Sequence, residues 1–457
     1  MSKKILLFDN ELIITKQILK ETDWVISVLI TRDDNVRHVG NPRIKSLYAE
    51  DDFWNNFDLS SMDFEVLKSL WHAQLKIENC TNREIEDYQM GKWSYYRGFS
   101  LVKKIFDENE IDFVIVKGPN HGYVYDRLIT DMATYLGVNN YNIETTIGAD
   151  KRTIYNNLKK YIVSVDDGCD VEDVLFKASD NKNTKGQRDY RGIKSIIYKY
   201  FGLGGIELWN CFLKFDYTNN RFDISIWEKI AKYRKFKLAQ KYYASQAVEL
   251  DIDQKYICYA LSIEPEAAVA GMAEMDSQIA AIGMLASSLP QGWKLYVKEH
   301  PGNRLINREW SFYGDYFYSA GVFKTKRFYK EIHRMKNVHF LKSDTNMRDI
   351  IKNSCAMATM IGTVSVESVQ YNKPVLLFAP ERTIYKYIDG YYCISSYSDC
   401  KKAIEDIAKQ SKKRYGNFNE ICKRYLIDFS DQVEGSKRAI KAIKNDMDRM
   451  STEADNS

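Results

Sequence analysis

The stretch Trp293 to Pro301, WKLYVKEHP, joins a strand-like run, Lys294 to Lys298, to an abrupt polar end, Glu299-His300-Pro301-Gly302. Proline stops a strand ladder and fixes the turn. It also holds the residue before it extended. An imidazole at a sheet edge can hydrogen-bond or charge-pair with a phosphate. Taken alone, a His-Pro pair is more often a satisfied turn; Lys298 and Glu299 sharpen it into a polar strand end. A second unit of the same design lies downstream. Ala356 to Ile361 is apolar, Gly362-Thr363-Val364-Ser365 is small and polar, and Val366 to Tyr371 reads as a short helix carrying Glu367. Such a loop offers N–H groups, hydroxyls and the positive end of a helix dipole to an anion. Equally, Thr363 or Ser365 can be an ordinary N-cap. Glu367 can accept from a ribose diol or stabilise the first turn. Glu264 and Glu266 flank Pro265 after another strand-like run. Paired acids there can orient a sugar hydroxyl or act as a base, or form a turn and a helix start. Nearer the N-terminus, the strand-like run Asp112 to Lys117 leads into Gly118-Pro119-Asn120-His121-Gly122-Tyr123, with Asp126 and Arg127 behind it.

These groups need sheet edges to bring them together, and the pattern supplies two. Lys4 to Phe8 and Trp24 to Ile30 read as strands around a helix, Glu11 to Glu21, which predicts a parallel sheet. No G-x-G-x-x-G follows the first strand, so the dinucleotide fingerprint is absent. Residues 61–109 read as mostly helical, and 138–163 as a strand and a helix. Residues 165–250 differ in texture. Lys232 to Tyr243 is a basic helix, which can sit on anionic lipid or present a solvated face. From Asp253 the chain alternates strand and helix about five times, the signature of a doubly wound sheet. The expected fold class is α/β: two Rossmann-like doubly wound domains facing a cleft, with a helical insertion and C-terminal helices. The expected boundaries are 1–164, 165–250, 251–410 and 411–457. Ligands of such sheets bind outside the carboxyl ends of the strands.

Composition narrows the classes. With 457 residues, two domains of about 200 residues each are expected. The net charge of +4 is small against 66 basic and 62 acidic residues, which argues against nucleic acid as the main partner. The eight cysteines show no C-x-x-C, which points to a reducing cytoplasm and not to a disulfide scaffold or zinc site. The apolar run Ile5 to Phe8 is too short for a signal peptide, and no run approaches the roughly 18 apolar residues of a membrane span. The expected location is cytoplasmic, with peripheral contact at the inner membrane. No D-x-D stands in a suitable loop, so no metal and no other cofactor is indicated.

In sequence order the pieces are strand, E-P-E, helix, L-P-x-G-W-x-L-Y-V-K-E-H-P, R-F-Y, N-V-x-F-L and I-G-T-x-x-x-E-S-x-x-x-x-K-P-V-L-L-F. This order, over roughly 253–380, resembles the capsular polysaccharide synthesis and Kdo-transferase-like glycosyltransferases of bacteria, which have the GT-B architecture. The resemblance extends weakly to the first domain through G-P-N-H-G-Y. It implies a nucleotide-sugar donor, commonly CMP-linked, in the second domain. Donor contacts would come from Lys298, Glu299, His300, Pro301, Gly362, Thr363, Ser365 and Glu367, with His300 at the phosphate and Glu367 at the ribose. Catalytic candidates are His121, Asp126, Glu264 and Glu266, and the acceptor would be a glycan or lipid-linked sugar of capsular or lipopolysaccharide synthesis. Ser365 and Ala379-Pro380 stand where relatives more usually carry glycine. The alternatives are a CDP-polyol phosphotransferase or a nucleotide-sugar epimerase of the same architecture, or a non-catalytic glycan-binding assembly protein.

Overall fold

A computed structural model of the chain describes residues 2–32, 34–85, 88–117, 125–147, 150–166, 168–170, 226–262, 275–300, 324–378, 383–409 and 415–455. Two sheets organise them. The first contains β1 (Lys4–Phe8), β2 (Val25–Thr31), β3 (Ile44–Ala49), β4 (Phe113–Lys117), β5 (Asn139–Ile147), β6 (Lys151–Asn156) and β7 (Tyr161–Ile162). Its core order is β3-β2-β1-β4-β5, all parallel, with β6 antiparallel to β5 and β7 antiparallel to β6. The second contains β8 (Ala247–Val248), β9 (Tyr256–Ala260), β10 (Lys294–Lys298), β11 (Val338–Leu341), β12 (Ala356–Thr359), β13 (Val375–Leu377) and β14 (Tyr391–Cys393), in the order β14-β13-β12-β9-β10-β11-β8, parallel throughout. A last short strand, β15 (Ile427–Asp428), returns to the first sheet and pairs antiparallel with β6.

The helices in chain order are α1 (Ile13–Glu21), α2 (Glu50–Asn55), α3 (Phe64–Ser69), α4 (Trp71–Ile85), α5 (Tyr88–Glu108), α6 (Tyr125–Tyr135), α7 (Ile226–Gln246), α8 (Gln278–Ser288), α9 (Lys326–His333), α10 (Met347–Asn353), α11 (Val364–Gln370), α12 (Tyr397–Lys409), α13 (Phe418–Tyr425) and α14 (Gln432–Asp455). Local chemistry starts several of them. Ser277 accepts from the Ala280 N–H ahead of α8, Thr325 from the Phe328 N–H ahead of α9, and Asn346 from the Arg348 N–H ahead of α10. These are N-cap residues satisfying donors that the first helical turn leaves without partners.

Strands buried on both faces explain the continuous apolar runs KILLF, YICYA and KLYVK. In the second sheet Ile257, Tyr259, Leu295 and Val297 pack on one face with α7, α8, α9 and α12, while Tyr256, Cys258 and Tyr296 pack on the other with α10, α11 and α13. Both sheets have the doubly wound order that the alternation predicts, strand 3-2-1 followed by 4-5 or 4-5-6. The expected helix in 138–163 is instead the β5–β6 hairpin plus β7. Ile143 and Ile154 there are buried in a sheet core, and Thr153-Ile154-Tyr155 is the β-branched and aromatic composition of a strand. Strand β3 is half-exposed at an edge, so it lacks the strong apolar signature that marked the others. The C-terminal helix α14 lies in the core of the first sheet, with Ala439, Ile440 and Ile443 packed among Ile14 and Ile18 of α1.

Candidate functional site

In a doubly wound sheet the crevice opens where the strand order reverses. In the second sheet that point lies between β9 and β12. At the end of β9, Leu261 is tied to the sheet by its N–H to the Lys298 carbonyl, 2.9 Å. Ser262 comes next, its N–H donating to Gln278 Oε1 at 2.8 Å. Its hydroxyl oxygen is buried and has no hydrogen-bond partner among the described residues. At the end of β12, the Gly362 N–H donates to Thr359 Oγ1 at 3.2 Å. A Cβ on Gly362 would sit 3.0 Å from that same oxygen, so the tight turn favours glycine.

The β10 end is a closed polar network. Glu299 is 4 % exposed and its carboxylate accepts from Lys324 Nζ at 2.8 Å, from the Tyr329 hydroxyl, and from the His300 N–H at 2.8 Å. Its own N–H donates to the Tyr243 hydroxyl at 3.0 Å, which in turn donates to the Leu341 carbonyl at 2.6 Å. Lys324 Nζ also reaches the Ser262 carbonyl at 2.5 Å, joining the β9 and β10 ends. Burial pushes the Glu299 carboxyl up, but the Lys324 charge, with the bonds from Lys324, Tyr329 and His300, outweighs it and holds the group below its ordinary value. Glu299 is therefore a strut that fixes the strand end. Lys298 is likewise 3 % exposed and donates to the Ser343 carbonyl at 2.9 Å.

His300 is half-buried. Burial, and then the Lys324 charge, push its pKa down to about 4 despite Glu299. At neutral pH the ring is therefore a neutral imidazole, which carries a single N–H.

On α11, Thr363 occupies the N-cap position with helical backbone angles and makes no side-chain cap. The N–H groups of Ser365 and Val366 close on the Gly362 and Thr363 carbonyls, so the turn satisfies itself with backbone. Thr363 is exposed. Ser365 is wholly buried, and its carbonyl accepts from the Tyr391 hydroxyl at 2.9 Å. It packs under the helix start, because α11 turns that face toward Tyr385 and Tyr391. Glu367 differs from all of these. It is half-buried, it makes no hydrogen bond among the described residues, and burial pushes its carboxyl up against the opposing charge of Arg348. Arg348, at the start of α10, is exposed.

In the first sheet the order reverses between β1 and β4. Asp9, fully buried, accepts from the Thr15 N–H at 2.8 Å and hydroxyl at 2.9 Å. Lys117 Nζ donates to Glu11 Oε2 at 2.6 Å and to Gln432 Oε1 at 3.4 Å. Arg152 is 3 % exposed, lies over the Phe429 ring at 4.8 Å, and leaves Nε and Nη1 without partners among the described residues. Its pKa is lowered by burial, opposed by Glu11, Asp150 and Asp9. Asp126, in the first turn of α6, is half-buried and accepts from the Arg127 N–H at 2.7 Å. His121, Glu264, Glu266 and Pro301 lie outside the described residues.

Sequence reasoning named His300, Gly362, Thr363 and Glu367, which sit at one sheet edge. It missed Ser262, Lys324, Tyr329, Tyr243 and Arg348. Lys324 and Tyr329 come from the start of α9, and no spacing rule ties them to Glu299. Ser262 was legible in principle, since it comes just after a buried strand.

No family model matches the chain, and no curated protein matches it. Solved structures match over nearly the whole length at low identity. A β-Kdo 2,7-transferase, KpsC, of Thermosulfurimonas dismutans is 11% identical, covering 97% of this chain and 99% of its own, with a TM-score of 0.32. A UDP-GlcNAc 2-epimerase of Methanocaldococcus jannaschii, in complex with UDP-GlcNAc and UDP, is 12% identical, covering 97% and 100%, with a TM-score of 0.27. The calicheamicin glycosyltransferase CalG4 is 12% identical, covering 98% of each chain, with a TM-score of 0.25. Likeness at these scores carries no inference about this chain's activity, which has to be read from the chain's own residues.

Proposed function

We propose that the protein is a nucleotide-sugar-dependent glycosyltransferase of GT-B type, acting in surface-polysaccharide synthesis on a glycan or lipid-linked acceptor. The observation that carries this reading is Glu367. It is a half-buried carboxylate with a raised pKa and no hydrogen-bond partner among the described residues, on the first turn of the helix after the switch-point strand. A carboxylate half withdrawn from water is costlier to keep ionised without a partner, and a ribose diol would relieve that cost. The Ser262 hydroxyl, buried without a partner at the neighbouring strand end, adds a second polar group waiting for a ligand.

In this reading the nucleotide lies over β9 and β12. The neutral His300 donates a hydrogen bond to the leaving phosphate, and Arg348 balances its charge. The Glu299–Lys324–Tyr329 network holds His300 in register, so its N–H meets the developing charge without reorganisation. The nucleotide sugar is the substrate, commonly CMP-linked among the proteins that the motifs resemble. His121, Asp126, Glu264 and Glu266 remain the proposed acceptor-side and base candidates, in a cytoplasmic protein.

Calorimetry with CMP, UDP, GDP and CDP tests the site. Glu367→Gln should weaken binding of the preferred nucleotide by about 1.5–3 kcal/mol, the worth of a hydrogen bond to a charged group. A 2′,3′-dideoxy nucleotide should lose a similar amount on the native protein, and the two losses should not add. Additive losses would mean that Glu367 does not touch the ribose. Free nucleotide released only when acceptor is present would favour transfer, and an isomerised donor would favour the epimerase.

A further inference from the structure

A strong charge asymmetry lies outside the crevice, on α7 and α9. Residues 226–246 and 326–336 hold eleven lysines and arginines against two acids, Glu228 and Glu331. That excess of +9 exceeds the +4 of the whole chain, so everything else together is net acidic. The two helices pack side by side. Phe236, Ala239 and Tyr243 of α7 and Phe328, Tyr329 and Ile332 of α9 are buried in one core, and Lys326 Nζ lies 5.9 Å from the centre of the Tyr242 ring. Helical periodicity then turns the remaining positions outward together. Arg234, Lys235 and Lys241 on α7, and Lys326, Arg327 and Lys330 on α9, with Arg334 and Lys336 just beyond it, are all exposed. Arg334 shares its charge with Glu331 at 2.7 Å. Among the basic side chains of α7 stands Leu238, 57 % exposed.

We infer that this two-helix face docks on a bilayer surface rich in anionic headgroups. The charge is complementary and spread over a face, not focused into a pocket. Leu238, between the cations, is placed to enter the headgroup layer. Among the described residues no helix is long and apolar enough to cross a membrane, so contact through this face is peripheral. Each cation near an anionic surface strengthens binding roughly fivefold, and the attraction falls with salt because it is screened within a Debye length. The face begins two residues after Lys324, which ties the β9 and β10 ends together. A docked bilayer therefore lies beside the crevice. Docking of this kind is independent of the nucleotide chemistry.

The full-length protein is sedimented with phosphatidylcholine vesicles, with and without phosphatidylglycerol, at low and physiological salt. Binding is expected only to the anionic vesicles and weaker at the higher salt. Arg234→Glu, Lys241→Glu and Lys330→Glu combined should weaken it about a hundredfold or more, with the melting temperature and nucleotide affinity kept. A control of equal charge change on α12, combining Lys401→Glu, Lys402→Glu and Lys409→Glu, should leave binding within a few-fold of the native protein. Equal loss in the control, binding to neutral vesicles, or tighter binding of soluble heparin than of vesicles at this face would each overturn the proposal. Nucleotide binding is read separately, so failure here leaves the donor site standing.

Discussion

At the carboxyl edge of the second sheet, the buried carboxylate of Glu299 is held by Lys324, Tyr329 and a backbone N–H. At the same edge of the first sheet, the Glu11 side chain is half in solvent while its partner Lys117 is 4 % exposed. Both sheets have the same strand order about their switch points, yet they place their charges in opposite ways. In the second, charge is buried on both sides of the pair and the strand end is rigid. In the first, one partner stays wet, and the buried Arg152 nearby keeps two donors without partners among the described residues. In the function proposed above, an edge that holds a small nucleotide in one geometry gains from a closed network. An edge with hydrated charge can adapt to what it meets.

Removing a cation from each edge should give the largest contrast. Lys324→Met leaves Glu299 buried and uncompensated, and it should destabilise by about 3–5 kcal/mol. Lys117→Met leaves Glu11 free to hydrate, so the loss should stay near 1 kcal/mol or below. Urea unfolding of the two variants checks this. Similar losses would mean that the first edge is as dry as the second, and the contrast would disappear.

Next in size is an effect on rate. His300→Ala should keep the fold and lower turnover by roughly a hundredfold or more, the scale of one donor aimed at a developing charge. Tyr329→Phe removes one bond from Glu299 and does not touch the ligand directly. It should lower turnover less than His300→Ala while changing nucleotide affinity little. Steady-state kinetics on folded variants separate the two roles. Full activity in folded His300→Ala would move the phosphate contact elsewhere.

How much of this was legible beforehand depends on the physics of each element. KILLF and KLYVK gave strands whose bounds match the structure, because a buried parallel strand is a short apolar run with little else it can be. The half-exposed β3 and the β5–β6 hairpin were not seen, since an edge strand carries polar residues and a hairpin depends on a turn whose signal was weak. At the site, His300 and Glu367 were visible because proline and a small polar loop marked their backbone. Their electrostatic states were not visible. The low pKa of His300 comes from burial and from Lys324, which stands more than twenty positions away in sequence and shares no motif with it. The burial of Ser365 was hidden for a related reason. Its position in the loop says nothing about which face α11 buries, and the tyrosines that cover it come from the β13–β14 region.

The smallest expected effect is on stability against pH, and it also separates the two edges. The folded pKa of His300 lies at about 4, below its ordinary 6.5, with burial as the main cause. Between those values the unfolded chain takes up a proton that the folded protein refuses. Stability therefore falls as pH drops from 6.5 toward 4. His339, also on the second sheet, is lowered by burial and by Lys294 and His333, so it adds to the same slope. Glu299 and Glu11 are both lowered from 4.5, so their contributions are lost only in more acidic solution. Between pH 7 and pH 5 the edge of the second sheet should respond and the Glu11–Lys117 pair should not. His300→Gln removes the imidazole's share, and its unfolding free energy should fall less over that interval than the native protein's, by on the order of 1 kcal/mol. Glu11→Gln should leave the slope unchanged across the same interval. Denaturant titrations at the two pH values measure both slopes. If His300→Gln and the native protein lose stability in parallel, His300 titrates near its ordinary value. It would then meet a phosphate partly as the cation, and the case for a neutral donor at the closed edge would fail.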